Sequence, residues 1–436
     1  MKKTIGLLVV LAVVFVPIFL FIHFAHSNTN SVSAAFLNYP EDSNASHANY
    51  YLDAGALVDA VESTHPLFEL GEIPLSYEET KDQYLTYTLN DMTLHCFYLA
   101  TEKYLASLGD GHMGLGDNGN RYIDIGWYAQ NNTLYLLDAN GLPSDEFVTR
   151  IGGVDVTKIM KQVDTFHSAE NDTAKQTNYI YFCGQADMLT LSGVAVGDSV
   201  EISTNKRDFA AQMILSGGAA RQYTKDYDVK TQAIGDVFYI DLGSFVSDTA
   251  ANDIANVIRN ARDKGTTEFI VDVRDNPGGY IQEGEKLLNA LGMSAPRYGV
   301  YICDSALYRQ QPRDQVDSRF FDLECAPQLD MARQNSQIHL VVLTDANTFS
   351  AATMFAVYVQ DGKLGTVVGQ PSSNAPTCYS AIVNYQMPVS GLTVPISTCK
   401  FYRPDVSADQ QTMTPDVVVP YGEDALQKAL EILQSE

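Results

Sequence analysis

The feature that most constrains the fold is an alternation of apolar runs and amphipathic stretches in the second half of the chain. Two of the runs, 268–273 and 338–343, are predominantly apolar, which is typical of strands buried on both faces of a parallel sheet. The segments between such runs carry apolar residues at helical spacing. Strands that alternate with helices predict an α/β fold with a largely parallel sheet.

This pattern runs from about residue 231 to the end of the chain, and it predicts individual elements. Apolar runs bounded by turn residues predict four strands, at 237–242, 268–273, 338–343 and 366–369. Helical periodicity predicts four helices, at 249–263, 280–291, 350–360 and 425–433. Two further strands, 378–387 and 392–399, flank a short turn and predict a hairpin.

The first half of the chain has a different pattern. Residues 50–118 carry two stretches of helical periodicity, the second from about 79 to 107, and end in the motif L-G-D-G-H at 108–112. Residues 119–230 alternate apolar and polar positions over short distances, which predicts a small β-rich domain with a weak likeness to PDZ modules. We therefore expect an N-terminal segment at 1–27, a linker at 28–49, a helical segment at 50–118, a β-rich domain at 119–230 and an α/β core at 231–436.

The N-terminus has the pattern of an export signal. Lys2 and Lys3 precede an uncharged apolar run at 5–22. Its length lies between the apolar core of a cleaved signal peptide, about 7–15 residues, and a membrane-spanning helix of roughly 18 or more. The length favours an uncleaved anchor, although 32–34 (V-S-A) could serve as a cleavage site. Either way the lysines stay inside and the rest of the chain is exported, to the outer face of the membrane or into the medium.

The composition excludes several classes of function. The chain carries 53 acidic and 28 basic residues, a net charge of -25, which argues against nucleic-acid binding. Six cysteines permit disulfides in an exported chain, without specifying a pairing. The sequence has no C-x-x-C pair and no phosphate-binding G-x-x-x-x-G-K-[ST] motif, so we expect neither a metal nor a nucleotide cofactor.

Three places in the sequence could carry chemistry, and the first is the motif D-V-R-D-N-P-G-G at 272–279. It lies between a buried strand and a helix. Two glycines at a strand end can expose backbone N–H groups in a concave loop, which suits an anion or an oxyanion. The same pair is equally compatible with an ordinary turn between strand and helix.

The second place is N-T-F-S-A-A at 347–352, which follows the buried strand at 338–343. A serine at the start of the next helix, Ser350, would lie at the carboxyl edge of the sheet, where open α/β sheets form their clefts. The backbone N–H of Ala351 would then point to where an oxyanion forms. The alternative is an ordinary N-cap serine, which is very common.

The third place is the D-G-H motif, in which His112 follows a glycine-rich turn. The chain has only 8 histidines, so few side chains could activate a serine near neutral pH. The alternative is an ordinary loop histidine without a functional role.

Together these three motifs resemble the tail-specific, or C-terminal processing, peptidase family. The resemblance continues in V-G-Q-P at 368–371, M-P-V-S-G-L at 387–392 and T-P-D-V at 414–417, so that it spans residues 50–419. It implies a crotonase-like α/β catalytic core, often accompanied by a PDZ-like module. It also implies hydrolysis of a protein or peptide substrate without a cofactor.

The family has two catalytic designs, and the sequence distinguishes between them. One design uses a lysine placed shortly after a G-E-x-T-x-G segment, which corresponds here to residues 369–380 and contains no lysine. The other design, similar to the tricorn protease, takes a histidine from the D-G-H motif, which is His112 here. The resemblance places the third, acidic residue at Asp409, with Asp405 in reserve. Such relatives have glutamate at the first of these positions, and a serine where this chain has Gly111.

The resemblance thus implies a mechanism in which His112 takes the proton from Ser350 and Asp409 orients the imidazole. Gly278 or Gly279, together with Ala351, would hold the oxyanion. Three alternatives remain open at this point. The chain could be a catalytically silent peptide- or ligand-binding protein on the same scaffold, an esterase, or a structural envelope protein.

Overall fold

The structure, a computed structural model, describes residues 36–40, 43–116, 119–215, 229–245, 248–310, 325–408 and 410–435. The apolar run proposed as an export signal lies outside these residues. Within the described ranges, no helix is both long enough and apolar enough to cross a membrane.

Helices occur along the whole described chain. They are α1 (Tyr51–Thr64), α2 (Pro66–Leu70), α3 (Tyr77–Tyr87), α4 (Leu94–Ala106), α5 (Val156–Phe166), α6 (Asp172–Phe182), α7 (Ala186–Leu191), α8 (Asp248–Asp263), α9 (Ile281–Ala290), α10 (Ala306–Arg309), α11 (Ala351–Asp361) and α12 (Ala425–Ser435). Two short 3-10 turns cover Leu329–Met331 and Val406–Ala408.

The strands are shorter and form separate sheets. They are β1 (His47–Ala48), β2 (Met92–Thr93), β3 (Arg121–Ile123), β4 (Trp127–Gln130), β5 (Thr133–Leu137), β6 (Pro143–Ile151), β7 (Val154–Asp155), β8 (Ser199–Thr204), β9 (Asp208–Leu215), β10 (Val229–Ile234), β11 (Val237–Leu242), β12 (Glu268–Asp272), β13 (Gly299–Ile302), β14 (His339–Thr344), β15 (Thr366–Gly369), β16 (Cys378–Gln386), β17 (Thr393–Tyr402) and β18 (Val417–Val418).

The central sheet has six strands in the order β10-β11-β12-β14-β15-β18. From β11 to β18 every pair is parallel, while β10 is antiparallel to β11. One face packs on α8, α9 and α11, and the other packs on α12. Because both faces are covered, β12 and β14 are buried along almost their whole length, as their apolar sequences predict.

The elements predicted for the α/β half agree with this structure to within three residues at each end. Strand β15 occupies the predicted positions, and α11 begins one residue after the predicted start. The predicted hairpin is formed by the antiparallel strands β16 and β17, with β13 on the outer side of β17.

The β-rich region contains the seven-stranded sheet β3-β9-β8-β6-β5-β4, with β7 paired to β6. It also contains the helices α6 and α7, which the sequence analysis did not predict. The single helical stretch predicted at 79–107 is wrong, since α3 and α4 are separate helices with β2 between them. Thr93 begins the second of these helices by accepting a hydrogen bond from Cys96 N.

The sheet determines where the candidate residues lie. Strands β12 and β14 are parallel neighbours, and Asp272 lies opposite Leu343. The loops that follow them, 273–280 and 345–350, therefore emerge side by side at the carboxyl edge of the sheet. This brings the glycine motif and Ser350 together.

Candidate active site

Ser350 lies on a strained turn between β14 and α11. Its backbone has φ 51° and ψ -124°, a region that residues other than glycine rarely adopt. Its side chain makes no capping hydrogen bond, which the N-cap interpretation would require. The serine nucleophiles of α/β hydrolases occupy such a turn, where the hydroxyl is exposed above the sheet.

Neighbouring residues hold the turn in this conformation. Phe349 N donates to the carbonyl of Asn276 over 3.0 Å, and Thr348 Oγ1 donates to the carbonyl of Val273 over 2.9 Å. These bonds join the serine loop to the glycine loop. Strain of this kind costs about 1–3 kcal/mol and persists only where the surroundings impose it.

His112 is 238 residues away in sequence but adjacent to Ser350 in space. Its Nε2 lies 3.0 Å from Ser350 Oγ and 3.2 Å from Ser380 Oγ. The ring packs against Phe349, with centroids 4.9 Å apart, and only 9% of the His112 side chain is exposed. One imidazole nitrogen therefore faces two hydroxyl groups.

The other imidazole nitrogen faces two carboxylates. His112 Nδ1 lies 3.6 Å from Asp110 Oδ1 and 4.0 Å from Glu170 Oε1, and it is buried without a hydrogen-bond partner. Burial alone would lower the pKa of His112. The interaction with Asp110 and the charge of Glu170 outweigh burial, so that the pKa is raised.

Asp110 is completely buried and accepts three hydrogen bonds. Its Oδ2 accepts from His65 Nε2 over 3.0 Å and from Ser397 Oγ over 2.5 Å, and its Oδ1 accepts from His112 N over 2.8 Å. His65 Nδ1 accepts from Leu67 N, which assigns the donor hydrogen to Nε2. Burial would raise the pKa of Asp110, but its bonds to His112 and His65 hold the pKa far below its usual range.

Glu170 comes from the segment between α5 and α6, and the sequence analysis did not find it. Its Oε1 accepts from Gly111 N over 3.1 Å, and its Oε2 accepts from Ala375 N over 2.7 Å and from Asn374 Nδ2 over 2.5 Å. Burial raises the pKa of this carboxyl group. No local motif marks the residue, because all of these partners are distant in sequence.

The glycine loop lies directly against Ser350. A Cβ atom on Gly278, where φ is +99°, would be 2.7 Å from Ser350 Cβ and 2.8 Å from Ala351 N. At Gly279, where φ is +134°, a Cβ atom would be 2.2 Å from the carbonyl oxygen of Phe245. Only glycine fits at either position.

The three predicted oxyanion donors differ in their hydrogen bonds. The N–H of Gly278 donates to Asn276 Oδ1 over 2.8 Å, so it is already engaged. Among the described residues, the N–H groups of Gly279 and Ala351 have no acceptor. These two remain available to a ligand.

Other predicted residues have structural partners. Arg274 pairs with the Asp272 carboxylate through Nε at 3.0 Å and Nη2 at 2.6 Å, which braces the loop. Asp405 Oδ1 accepts from Ser407 N and Oγ over 3.0 and 2.6 Å, so its carboxylate serves its own turn rather than His112. Asp409 lies outside the described residues.

The same region is where a metal ion would be sought. The ligating atoms of Asp110, His112 and Glu170 lie within 4.8 Å of one another. The separations from Nδ1, 3.6 and 4.0 Å, exceed the roughly 3.4 Å between ligands on a tetrahedral zinc ion. Both carboxylate oxygens already accept backbone N–H bonds. The spacing fits an ion-paired imidazole better than a zinc site.

No disulfide joins any of the six cysteines, all of which are described.

Comparison with known proteins identifies the core. Residues 236–419 match the family model described as peptidase family S41. Over this core, which is less than half of the chain, the sequence is similar to peptidase family S41. The match supports a serine-type peptidase, as the sequence motifs predict.

Two solved structures have a similar fold. Mature CPAF is similar with a TM-score of 0.61 and 12% sequence identity, over 88% of this chain and 95% of that chain. Mature CPAF complexed with lactacystin is similar with a TM-score of 0.60 and 12% identity, over 89% of this chain and 97% of that chain. At this identity the likeness shows a shared fold.

The S41 match covers only part of the site. Ser350, Ala351 and the glycine loop lie within the matched residues, whereas His112 and Glu170 lie outside them. The arrangement around the imidazole therefore has to be argued from the geometry of this chain.

Proposed function

We propose that this chain is a serine peptidase of the S41 type that hydrolyses peptide bonds through an acyl-enzyme on Ser350, with His112 as general base. The observation that carries the proposal is the 3.0 Å separation of His112 Nε2 and Ser350 Oγ. Ser350 also lies on a strained turn of the kind that serine nucleophiles occupy. We propose that the chain uses the histidine-based, tricorn-like design rather than the lysine-based one. Residues 369–380 contain no lysine, and Lys400 Nζ pairs with Glu72 at 2.6 Å.

The chemistry follows from these contacts. His112 Nε2 accepts the hydroxyl proton as Ser350 Oγ attacks the substrate carbonyl. The N–H groups of Gly279 and Ala351 stabilise the oxyanion, and each such donor is worth about 2.7–4 kcal/mol in the transition state. The imidazolium then gives its proton to the leaving amine. Water, activated by the same imidazole, releases the acyl group.

Incubation with a mixed peptide library, read by mass spectrometry, tests this function. The wild type is expected to generate new peptide termini, and Ser350→Ala is expected to generate none. Turnover of small esters by the wild type without cleavage of any peptide would indicate an esterase instead. Absence of both activities in a folded sample would favour a silent binding protein.

We further propose that the α/β core is crotonase-like and that the β-rich region acts as a PDZ-like module that recognises substrate. Deletion of residues outside the core would not test this cleanly, because His112 and Glu170 belong to the site. A peptide array probed with Ser350→Ala tests it better, since preferential binding of free C-terminal sequences is expected.

We also propose that the site lies outside the cytoplasm, held at the membrane or released by cleavage of the N-terminal segment. The motif of two lysines before the apolar run supports this location. Protease added to intact cells that express the full chain should digest the exported region. Protection until the cells are lysed would contradict this location.

A further inference from the structure

We propose that Asp110 and Glu170 together perform the role of the triad acid, orienting His112 and balancing its positive charge. This inference rests on the proposed function, since it takes His112 as the base. It replaces the assignment to Asp409 or Asp405 that the family resemblance implies. Two carboxylates from different parts of the chain would then act on one ring nitrogen.

The position of His112 Nδ1 supports this role. Ser350 can donate to Nε2 only if the neutral ring carries its hydrogen on Nδ1. That hydrogen needs an acceptor, and Nδ1 is buried without one at hydrogen-bonding distance. The nearest acceptors, Asp110 Oδ1 at 3.6 Å and Glu170 Oε1 at 4.0 Å, lie on this side of the ring. Catalytic hydrogen bonds are often long in the free enzyme and shorten when substrate binds.

Asp110 supplies a fixed negative charge. Its three hydrogen bonds, from His65, Ser397 and the backbone of His112, hold the carboxylate in one orientation. A buried carboxylate with such partners stays ionised, in agreement with its lowered pKa. His65 stands behind it as an orienting donor, so that a continuous chain of contacts runs from His65 to Ser350.

Glu170 contributes the second charge and a structural link. Its carboxylate joins the D-G-H turn, through Gly111 N, to the loop after β15, through Asn374 and Ala375. That loop continues into β16, which carries Ser380 beside His112 Nε2. The residue therefore links the turn that carries His112 to the segment that carries Ser380 while it faces Nδ1.

The charged and titratable groups around the ring come from several elements. Asp110 and Glu170 face Nδ1, whereas Ser350 and Ser380 face Nε2. Cys378 is buried near both carboxylates, and burial raises the pKa of its thiol, so that it stays neutral. The two acids are thus the charges that set the affinity of His112 for its proton.

The rate of labelling by a fluorophosphonate probe, measured as a function of pH, tests the inference in the full-length protein. The variants are Glu170→Gln and Asp110→Asn, with Asp409→Asn and Asp405→Asn as matched controls. Removal of a triad acid can slow serine chemistry by about 10⁴-fold. We expect a loss of about 10²- to 10⁴-fold for Asp110→Asn and at least about tenfold for Glu170→Gln.

The pH profile separates an electrostatic role from a structural one. Loss of a carboxylate lowers the pKa of His112, so the pH midpoint of the labelling rate should fall in both variants. A fold defect alone would lower the rate without moving the midpoint, and thermal melting identifies it. Asp409→Asn and Asp405→Asn should keep the wild-type rate and midpoint.

A second measurement does not depend on the folding of the buried variants. The ¹⁵N spectrum of histidine-labelled wild type and Asp409→Asn should show His112 with its hydrogen on Nδ1 in both proteins. Loss of that tautomer, or of labelling, in folded Asp409→Asn would overturn the inference while leaving the proposed function intact. Failure of the folded wild type to label would instead refute the proposed function itself.

Discussion

Replacement of Gly278 by alanine should disable the oxyanion site without unfolding the protein. The added Cβ atom would lie 2.7 Å from Ser350 Cβ and 2.8 Å from both Ala351 N and the Phe349 carbonyl. Carbon atoms normally approach to about 3.5–4.0 Å, so the two loops must separate by about 1 Å. A displacement of about 1 Å at a catalytic group can cost about 10²-fold in rate. Loss of one oxyanion donor costs about 10²- to 10³-fold.

We therefore expect Gly278→Ala to slow fluorophosphonate labelling by about 10²- to 10³-fold, as measured by the observed rate constant. Gly391→Ala is the matched control, since its φ is +74° but no atom lies within 4 Å of its Cβ position. The control should lose about 1–2 kcal/mol of stability and keep its labelling rate. A wild-type labelling rate in Gly278→Ala would refute the close packing of the two loops.

Four further changes have defined outcomes. Ser350→Gly should abolish activity but unfold at a higher denaturant concentration than Ser350→Ala, because glycine relieves about 1–3 kcal/mol of backbone strain. Equal unfolding midpoints in the two variants would contradict that strain. Ser380→Ala should speed labelling by at most about tenfold, because one competing hydrogen bond to His112 Nε2 is removed; slower labelling would contradict competition. The labelling rate should rise with pH around a midpoint above about 6.5, since the raised pKa of His112 keeps the imidazole protonated to higher pH. Labelling rates measured over a range of pH give this midpoint, and a value below about 6.5 would contradict the raised pKa. Asp53→Ala should lower the free energy of unfolding in urea by about 1–3 kcal/mol, because the buried carboxylate accepts two backbone N–H bonds from the turn between β16 and β17. An unchanged unfolding midpoint would show that these two bonds do not stabilise the fold.

The sign of the pH effect on stability follows from the same shift. The pKa of His112 is raised in the folded protein, so its protonated form stabilises the fold below the unfolded value of about 6.5. That contribution is lost as the pH rises through the folded value. The lowered pKa of Asp110 acts at the other end, because its contribution is lost as the pH falls through the folded value.

The α/β core was predictable because its signals are local. Strands buried on both faces, such as β12 and β14, are marked by their own apolar sequence. Helices such as α8 and α9 have one apolar face, which recurs at helical spacing. The two loops at the carboxyl edge then follow from the parallel order of the strands.

The N-terminal half was predicted less well for an equally physical reason. Helix α6 is largely polar, and its start depends on the Asn171 side chain, which accepts from Ala174 N. Helices α3 and α4 are separated by the two-residue strand β2, which pairs with β1 from a distant part of the chain. Tertiary contacts of this kind have no local sequence signature.

The residues of the candidate site also differ in whether the sequence marks them. Ser350, His112 and the glycine loop belong to motifs, and the structure brings them together within hydrogen-bonding reach. Glu170 belongs to no motif, and its partners Gly111 and Ala375 are 59 and 205 residues away in sequence. Only the folded chain reveals that it faces the imidazole.

The most direct test of the account is to find which residue a fluorophosphonate probe labels. The purified protein is treated with the probe, digested and mapped by mass spectrometry, beside Ser350→Ala and His112→Ala. We predict a label on Ser350 in the wild type and no label in either variant, with all three samples folded. A folded wild type that remains unlabelled, or a label that persists in Ser350→Ala, would contradict the claim that Ser350 is the activated nucleophile.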